Sequence, residues 1–587
     1  MKLKWRTLSP VHVGTGEELV PLEYVVYDGK FYRLSQEDIL AFAKKEMGEK
    51  DGPRAFADWI SGEYHDMRDI RDNRELSQRE DRLNAYHFAK AQHKEAAFVT
   101  GLQGGGFAPP GVPVILDERA KRRLRGGREV ALGRVRSAIK TAAGQPYLPG
   151  SSIKGSLRTA VFYHFLHQHA HKARLDELIR DQLSKRRRKE RFGLPLEELA
   201  FYCAAKDSYS GRLKTNDEKM DLFKLVRITD SFLSTSDQTL QLAKVNIYLV
   251  EKQGQRGNTY WAATQQRQTT YCEIIPKGNI VEMEIDFDID FLLRAKDWLK
   301  EGGIPAKQGV QWIGLEKKVK ELFGLELATL TEDNKEAKKE AVLQHLLQCW
   351  QRFSRRQLQS HRDWLDHFSK NDQRDTFSSK VERGFEPIFE HQQDTLIHMG
   401  YATGFQGTTA LLYFMEDAQM KDLYKSVLEN YKVGNNPRNR GQFKLNIDRF
   451  PKSRRLVEDE QVIYPMGWLV AVGADAKPTV EAQKMESRPA TTTTAQAVSQ
   501  KPPEPPKPTG PQYFEGKVNY KKPPTLDAVV VKPGRPNVVK VYLYEDNSPE
   551  MKLMGYRNPI DKGTLLEVDT QFTKKGKLIQ VRFSKLK

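Results

Sequence analysis

Residues 148–160 read Leu-Pro-Gly-Ser-Ser-Ile-Lys-Gly-Ser-Leu-Arg-Thr-Ala. A glycine-bounded, hydroxyl-rich loop with one cation thus runs directly into an apolar helical pattern. Pro149 ends whatever precedes it, Gly150 and Gly155 permit a tight backbone, and Ser151 or Ser152 can cap the helix. The unpaired N–H groups of that helix then face outward at the positive end of its dipole, which is a place for phosphate to sit. Lys154 and Arg158 stand four apart, so a helix puts both cations on one side, beside those donors. Lys154 precedes Gly155, whereas a Walker A loop carries its lysine after the second glycine, and nucleotide hydrolysis is disfavoured. The plain alternative is a capped helix whose Lys and Arg face water.

Composition favours the first reading. The 587 residues carry 95 Lys and Arg against 77 Asp and Glu, a formal net charge of +18. Such an excess attracts a polyanion without specifying it, and nucleic acid is the leading partner class. The excess is concentrated: Arg119, Lys121, Arg122, Arg123, Arg125 and Arg128 form one block, and Lys185, Arg186, Arg187, Arg188, Lys189 and Arg191 another. No stretch approaches the apolar run of a membrane span, and the opening Met-Lys-Leu-Lys-Trp-Arg lacks the apolar region of a signal peptide. A cytoplasmic protein with no membrane partner is expected. Cys203, Cys272 and Cys349 are far apart and lack Cys-x-x-Cys spacing, which supports neither a disulfide framework nor a cysteine zinc site. Helical spacing places His164, His167 and His171 on one face, read as solvated rather than metal-binding. No metal and no cofactor are expected.

The length predicts two or three domains. Lys2–Leu8 reads as a strand, Ser9–Gly16 as a turn, and Leu22–Leu34 as a hairpin around Asp28-Gly29. Ser35 caps a charged helical stretch reaching about Lys94, with Asp38 in its first turn. Strands return at residues 225–231, 244–249 and 280–289, and a second helical insertion spans about 291–395. It ends at His398-Met399-Gly400-Tyr401-Ala402-Thr403-Gly404-Phe405-Gln406-Gly407-Thr408-Thr409, a second glycine-rich loop with Thr408 as its cap. Tyr464–Val470 reads as a closing strand. Strands and helices interleaved over long insertions give an α+β fold of two ferredoxin-like, RRM-like domains, 1–290 and 291–473, each with a helical insertion. Residues 474–511 form a flexible Pro/Thr-rich linker. Residues 512–587 read as five short strands, a small basic OB-like β-barrel. Its Lys517, Lys540, Lys574 and Arg582, interleaved with Tyr513, Phe514, Tyr520, Tyr542 and Phe572, suit a stacking platform for single strands.

Five segments in order carry a resemblance: Thr7–Leu19, Pro146–Arg158, Arg227–Ser231, the Gly400–Thr409 loop and Tyr464–Trp468. Together they resemble the RAMP superfamily of CRISPR effector proteins, most closely the fifth-subunit family of type III-A Csm complexes. The resemblance implies a non-catalytic subunit of a ribonucleoprotein in antiviral defence, capping the filament near the crRNA 3′ end and supporting maturation of that end. It implies crRNA as ligand, and as partners the repeated backbone subunit, the small helical subunit, target RNA and host nucleases. RNA binding is expected at Gly150, Ser151, Ser152, Lys154, Gly155, Ser156 and Arg158, at His12, Gly14 and Gly16, at Gly404, Gly407, Thr408 and Thr409, and at Arg454 and Arg455. The long insertions and the barrel depart from the family pattern. Two alternatives stay open: a Cas6-like, metal-independent endoribonuclease with His12 as general base, and a protein-interaction scaffold. Asp207, Asp217, Asp221 and Asp230 are scattered and do not make a metal-nuclease cluster.

Overall fold

Lys2–Thr7 alternates cation and apolar residue, so that Trp5 and Thr7 turn inward. In the computed structural model this first strand lies between Ile280–Phe287 and Trp468–Val472, antiparallel to both. The first and last strands of residues 1–473 are therefore neighbours, and the two expected halves share one sheet. Its seven strands run in the order 396–398, 468–472, 2–7, 280–287, 231–233 and 147–148, with 226–228 also paired to 280–287. A second sheet of nine strands is built around the hairpin Gln241–Gln253 and Tyr260–Ile274. The chain is thus a mixed helix and strand α+β protein.

The structure describes all residues except 69, 71–72, 108–110, 116–131, 169–170, 185–193, 208–212, 215–219, 234–239, 254–259, 301–309, 370–375, 434–444, 460–461, 474–524, 533–537, 542–549, 555–564, 573–577 and 587. Both basic blocks, the linker, and Tyr513, Phe514, Tyr520 and Tyr542 lie outside the described residues. The chain divides into two units, Met1–Ala490 and Thr491–Lys587. In the second, strands 525–532, 538–541, 550–554, 578–586 and 565–572 pair in that order around a closed ring.

Several local expectations hold. Ser35 Oγ accepts from Asp38 N at 3.1 Å while Asp38 accepts from Ser35 N at 2.7 Å, a reciprocal cap on the helix Gln36–Met47. Lys30–Arg33 pairs with Tyr24–Tyr27 across Asp28-Gly29. Others are corrected. The helix Gly150–Leu166, hereafter the loop helix, is entered through Pro149 with no side-chain cap, so Ser151 and Ser152 occupy its first turn. The second glycine loop forms the short helix Gly404–Thr408, where Thr408 is the last residue and its hydroxyl donates to Gly404 O at 3.0 Å. Histidines 164, 167 and 171 do not form a solvated face, because the loop helix stops at Leu166. His167 meets Glu416 at 3.1 Å, His171 meets Glu321 at 3.3 Å, and His164 packs on His345.

The helix Lys335–Ser369, hereafter the long helix, belongs to the expected insertion but builds the main core. Its Trp350 meets Trp5 edge to face at 5.7 Å and donates Nε1–H to Ser156 Oγ of the loop helix at 3.3 Å. Strand, loop helix and long helix thus meet at one buried node.

Gly467 has φ +83°, and a Cβ there would lie 2.0 Å from Met399 O. Gly467→Ala is expected to lower unfolding stability by about 2 kcal/mol or more, read as a fall in the urea midpoint.

Candidate nucleic-acid interface

Strand parity decides which cations reach water. On Ser453–Glu458, Arg454 points inward and Arg455 outward. Arg454 is 9% exposed and donates to Pro451 O at 2.7 Å, Ser453 O at 3.1 Å and Gln406 Oε1 at 3.2 Å. Burial pulls its guanidinium down to about 9. Arg455 instead lies over the Tyr401 ring, 5.0 Å from its centroid. Arg136, from the strand Val135–Ala138, lies over the same ring at 4.7 Å, and His12 meets it edge-on at 5.7 Å. Two guanidiniums share one aromatic ring, and Glu18 lies 3.5 Å from that of Arg136, which leaves Arg455 as the cation of the pair for a polyanion to meet first. A cavity of about 210 Å³ opens beside them, lined by Thr403, Gly404, Gln406, Arg454 and Arg455 among others.

Three of the sequence segments make this surface. Gly467 N donates to Pro10 O at 2.8 Å, Leu8 N to Trp468 O at 2.8 Å, and Tyr401 N to His12 O at 2.9 Å. Beneath it, Glu273 is 3% exposed and accepts from Lys140 Nζ at 2.7 Å and Ala138 N at 2.9 Å, which fixes the strand carrying Arg136. Burial lowers the Lys140 ammonium from its ordinary value, opposed by Glu273. His12 is 3% exposed with Nδ1 2.6 Å from Glu273 O, and burial lowers its pKa. Gly14 leaves room at the far side of that ring: a Cβ there would lie 2.9 Å from His12 Nε2. Gly16, with φ +91°, and Gly404, with φ +63°, are exposed and have open space around them.

The first loop is arranged differently from its sequence reading. Gly150 N–H donates to Asp230 Oδ1 at 2.7 Å, so a carboxylate of the chain itself occupies the helix start. A Cβ on Gly150 would meet Ile228 O at 2.2 Å, and the glycine is needed for this close packing. Lys154 Nζ donates to Val226 O at 2.6 Å, and burial lowers its pKa. Arg158 pairs with Asp221 at 2.8 Å and lies 3.8 Å from the Phe201 ring centroid. Ser156 Oγ donates to His398 O at 3.1 Å, joining the first loop to the second. Both cations are thus held inside the fold, and Ser151 and Gly155 form the exposed face of the loop. In the second loop Gly407 is buried, and Thr409 Oγ1 donates to Phe405 O at 2.6 Å. Sequence reasoning passed over Arg136 and Tyr401; the alternation Arg134-Val135-Arg136 along a strand was the available signal.

A model of the RAMP superfamily matches residues 4–315. The chain belongs to the RAMP superfamily. Among curated proteins, this RAMP protein is similar to "CRISPR system Cms protein Csm5" of Mycobacterium tuberculosis, from strains CDC 1551 / Oshkosh and ATCC 25618 / H37Rv. Each is 27% identical over 254 residues, covering 40% of this chain and 56% of the relative. The chain therefore spans about half the length of the curated relatives it matches. Among solved structures it is similar to a chain of a cryo-EM Csm–crRNA–target RNA ternary complex of a type III-A CRISPR-Cas system, at 19% identity and TM-score 0.43, covering 80% of this chain and 100% of that one. It is also similar to crystalline T. onnurineus Csm5, at 19% identity and TM-score 0.42, covering 80% and 99%.

The segments behind the interface hold two buried histidines neutral. His398 stacks on Trp468 at 4.3 Å, and burial holds its pKa down to about 3, while His361 lies well below its ordinary 6.5. Folded pKa values below the unfolded 6.5 mean that the stability is fully present above pH 6.5 and is lost as pH falls toward 3. A loss of about 1–2 kcal/mol by pH 5 is expected from His398 alone, with a shallower pH dependence in His398→Gln, read by denaturant unfolding across pH.

Proposed function

We propose that this RAMP protein is a Csm5-type, non-catalytic, crRNA-binding subunit of a type III-A Csm complex. The observation that carries the reading is the group Arg136, Tyr401 and Arg455, built where three of the sequence segments converge. The exposed Arg455 and the half-buried Arg136 contact phosphate, Tyr401 offers a face or edge to a base, and the bare backbone at Gly14, Gly16, Ser151, Ser152, Gly155 and Gly404 lets RNA approach closely. Lys154, Ser156, Arg158, Gly407, Thr408, Thr409 and Arg454 shape the two loops rather than bind phosphate directly. Recognition is of backbone and shape, with sequence left to base pairing by the guide. The two halves are read as ferredoxin-like, 1–290 and 291–473, sharing their central sheet. The closed ring of strands in the second unit is read as an OB-like platform for single strands. Capping near the crRNA 3′ end, contact with the backbone and small helical subunits and with target RNA, support of maturation by host nucleases, and a cytoplasmic setting complete the proposal. Similarity to Csm5 and to a chain of a crRNA-containing Csm complex supports it.

The environment of His12 supports a non-enzyme. A general base must reach a 2′-hydroxyl, whereas His12 is buried with Nδ1 engaged by Glu273 O. Asp221 and Asp230 are engaged separately, by Arg158 and by Gly150 N.

Labelled crRNA binding at two salt concentrations tests the reading. Tyr401→Ala is expected to weaken binding by about 1–3 kcal/mol. Arg136→Ala with Arg455→Ala should reduce the slope of log K against log salt by about one per cation. Discrete metal-independent products that vanish in His12→Ala would contradict the reading and make the chain an endoribonuclease.

A further inference from the structure

The loop helix and the long helix bring together three side chains that the RNA surface does not use. His345 and Cys349 stand four apart on one side of the long helix, with His345 Nε2 3.7 Å from Cys349 Sγ. His164 of the loop helix faces them, its ring centroid 5.0 Å from that of His345 and its plane turned by 81°. One ligand atom from each of the three lies within 4.8 Å of the others. A tetrahedral ion with metal–nitrogen bonds of about 2.0 Å and a metal–sulfur bond of about 2.3 Å holds such atoms roughly 3.3–3.6 Å apart. Binding therefore calls for rotation of a half-buried imidazole to close that difference.

The surroundings prepare the ligands. The Leu322 backbone hydrogen-bonds the His345 ring, which helps to fix its orientation beside Cys349. Gly324, with φ +66°, lies against the other edge of that ring, where a Cβ would stand 3.3 Å from Nδ1. Arg352, exposed on the long helix, donates to His164 Nδ1 at 3.3 Å and can turn into water when that lone pair is needed. Cys349 is buried at 2% exposure, and both histidines are half-buried, which puts the group at the edge of the core. Two imidazoles and a thiolate suit a borderline-soft ion over Mg²⁺ or Ca²⁺.

We propose that His164, His345 and Cys349 bind a zinc-type divalent ion, with water at the fourth position, pinning the loop helix to the long helix. On binding, the Cys349 S–H bond breaks, its proton passes to the buffer and a metal–sulfur bond forms; both imidazoles give lone pairs without losing protons, and no electron is transferred. Because the thiol must give up its proton to bind, affinity rises with pH.

The test titrates the chelator-treated full chain with Zn²⁺ alone, then with Co²⁺ as a visible probe. The expected result is one equivalent bound with one proton released, and a thiolate-to-Co²⁺ charge-transfer band. Cys349→Ser should abolish the band, and His164→Gln should weaken binding tenfold or more. If Cys349→Ser fails to fold, His164→Gln, at a half-buried position, and His345→Gln decide the matter. Absence of stoichiometric binding would overturn the proposal and leave Cys349 as a thiol hydrogen-bonded to His345. A band that persists in His164→Gln and His345→Gln would overturn it by placing the ion elsewhere.

Discussion

Backbone meets backbone at Gly400 and Gly467 with no room for a side chain, and the proposed RNA surface depends on that approach. A Cβ on Gly400 would lie 2.5 Å from His12 O, and one on Gly467 2.0 Å from Met399 O. Both residues also have positive φ, +87° and +83°, which glycine adopts without strain. Because the chains come this close, Met399 N reaches Gly467 O at 2.8 Å and Tyr401 N reaches His12 O at 2.9 Å. These bonds set the position of Tyr401, and Tyr401 is where Arg136 and Arg455 meet. Three segments distant in sequence are thus joined by main-chain bonds, and the side chains they present inherit a rigid frame.

Charge alone does not identify the proposed binding face. Lys154, Arg158 and Arg454 belong to the most conspicuous motifs, yet each is held by carbonyl, carboxylate or amide partners inside the fold. Their contribution is to fix loops: Lys154 ties the loop helix to Val226, and Arg454 closes the Pro451–Ser453 turn onto Gln406. Arg455 is exposed, and Arg136 is half-buried with Glu18 at 3.5 Å. What sets Arg455 apart is exposure, which neither net charge nor local composition reports.

Much of the frame was legible in the sequence. The alternation in Lys2–Thr7, the Ser35–Asp38 cap and the Asp28-Gly29 hairpin follow from local chemistry and appear as expected. The order of five glycine-rich and apolar segments pointed to the superfamily. What was not legible depends on distant partners. Tyr260–Ile274 carries Thr-Gln-Gln-Arg-Gln-Thr-Thr, without apolar alternation, and is a strand because Gln241–Gln253 pairs along its length. Ser151 and Ser152 look like caps, but Asp230, remote in sequence, takes the Gly150 N–H instead. The inserted long helix gave no sign that Trp350 would meet Trp5, and nothing near His164 announced His345.

The most direct measurement of the central claim is to photo-crosslink 4-thiouridine-substituted crRNA to the full chain and map the attached peptides by mass spectrometry. The account predicts crosslinks on the peptides holding Tyr401, Arg455 and Arg136, reduced by high salt. Crosslinks confined to the second unit, or to the helices between residues 36 and 103, with none at these three positions, would contradict it.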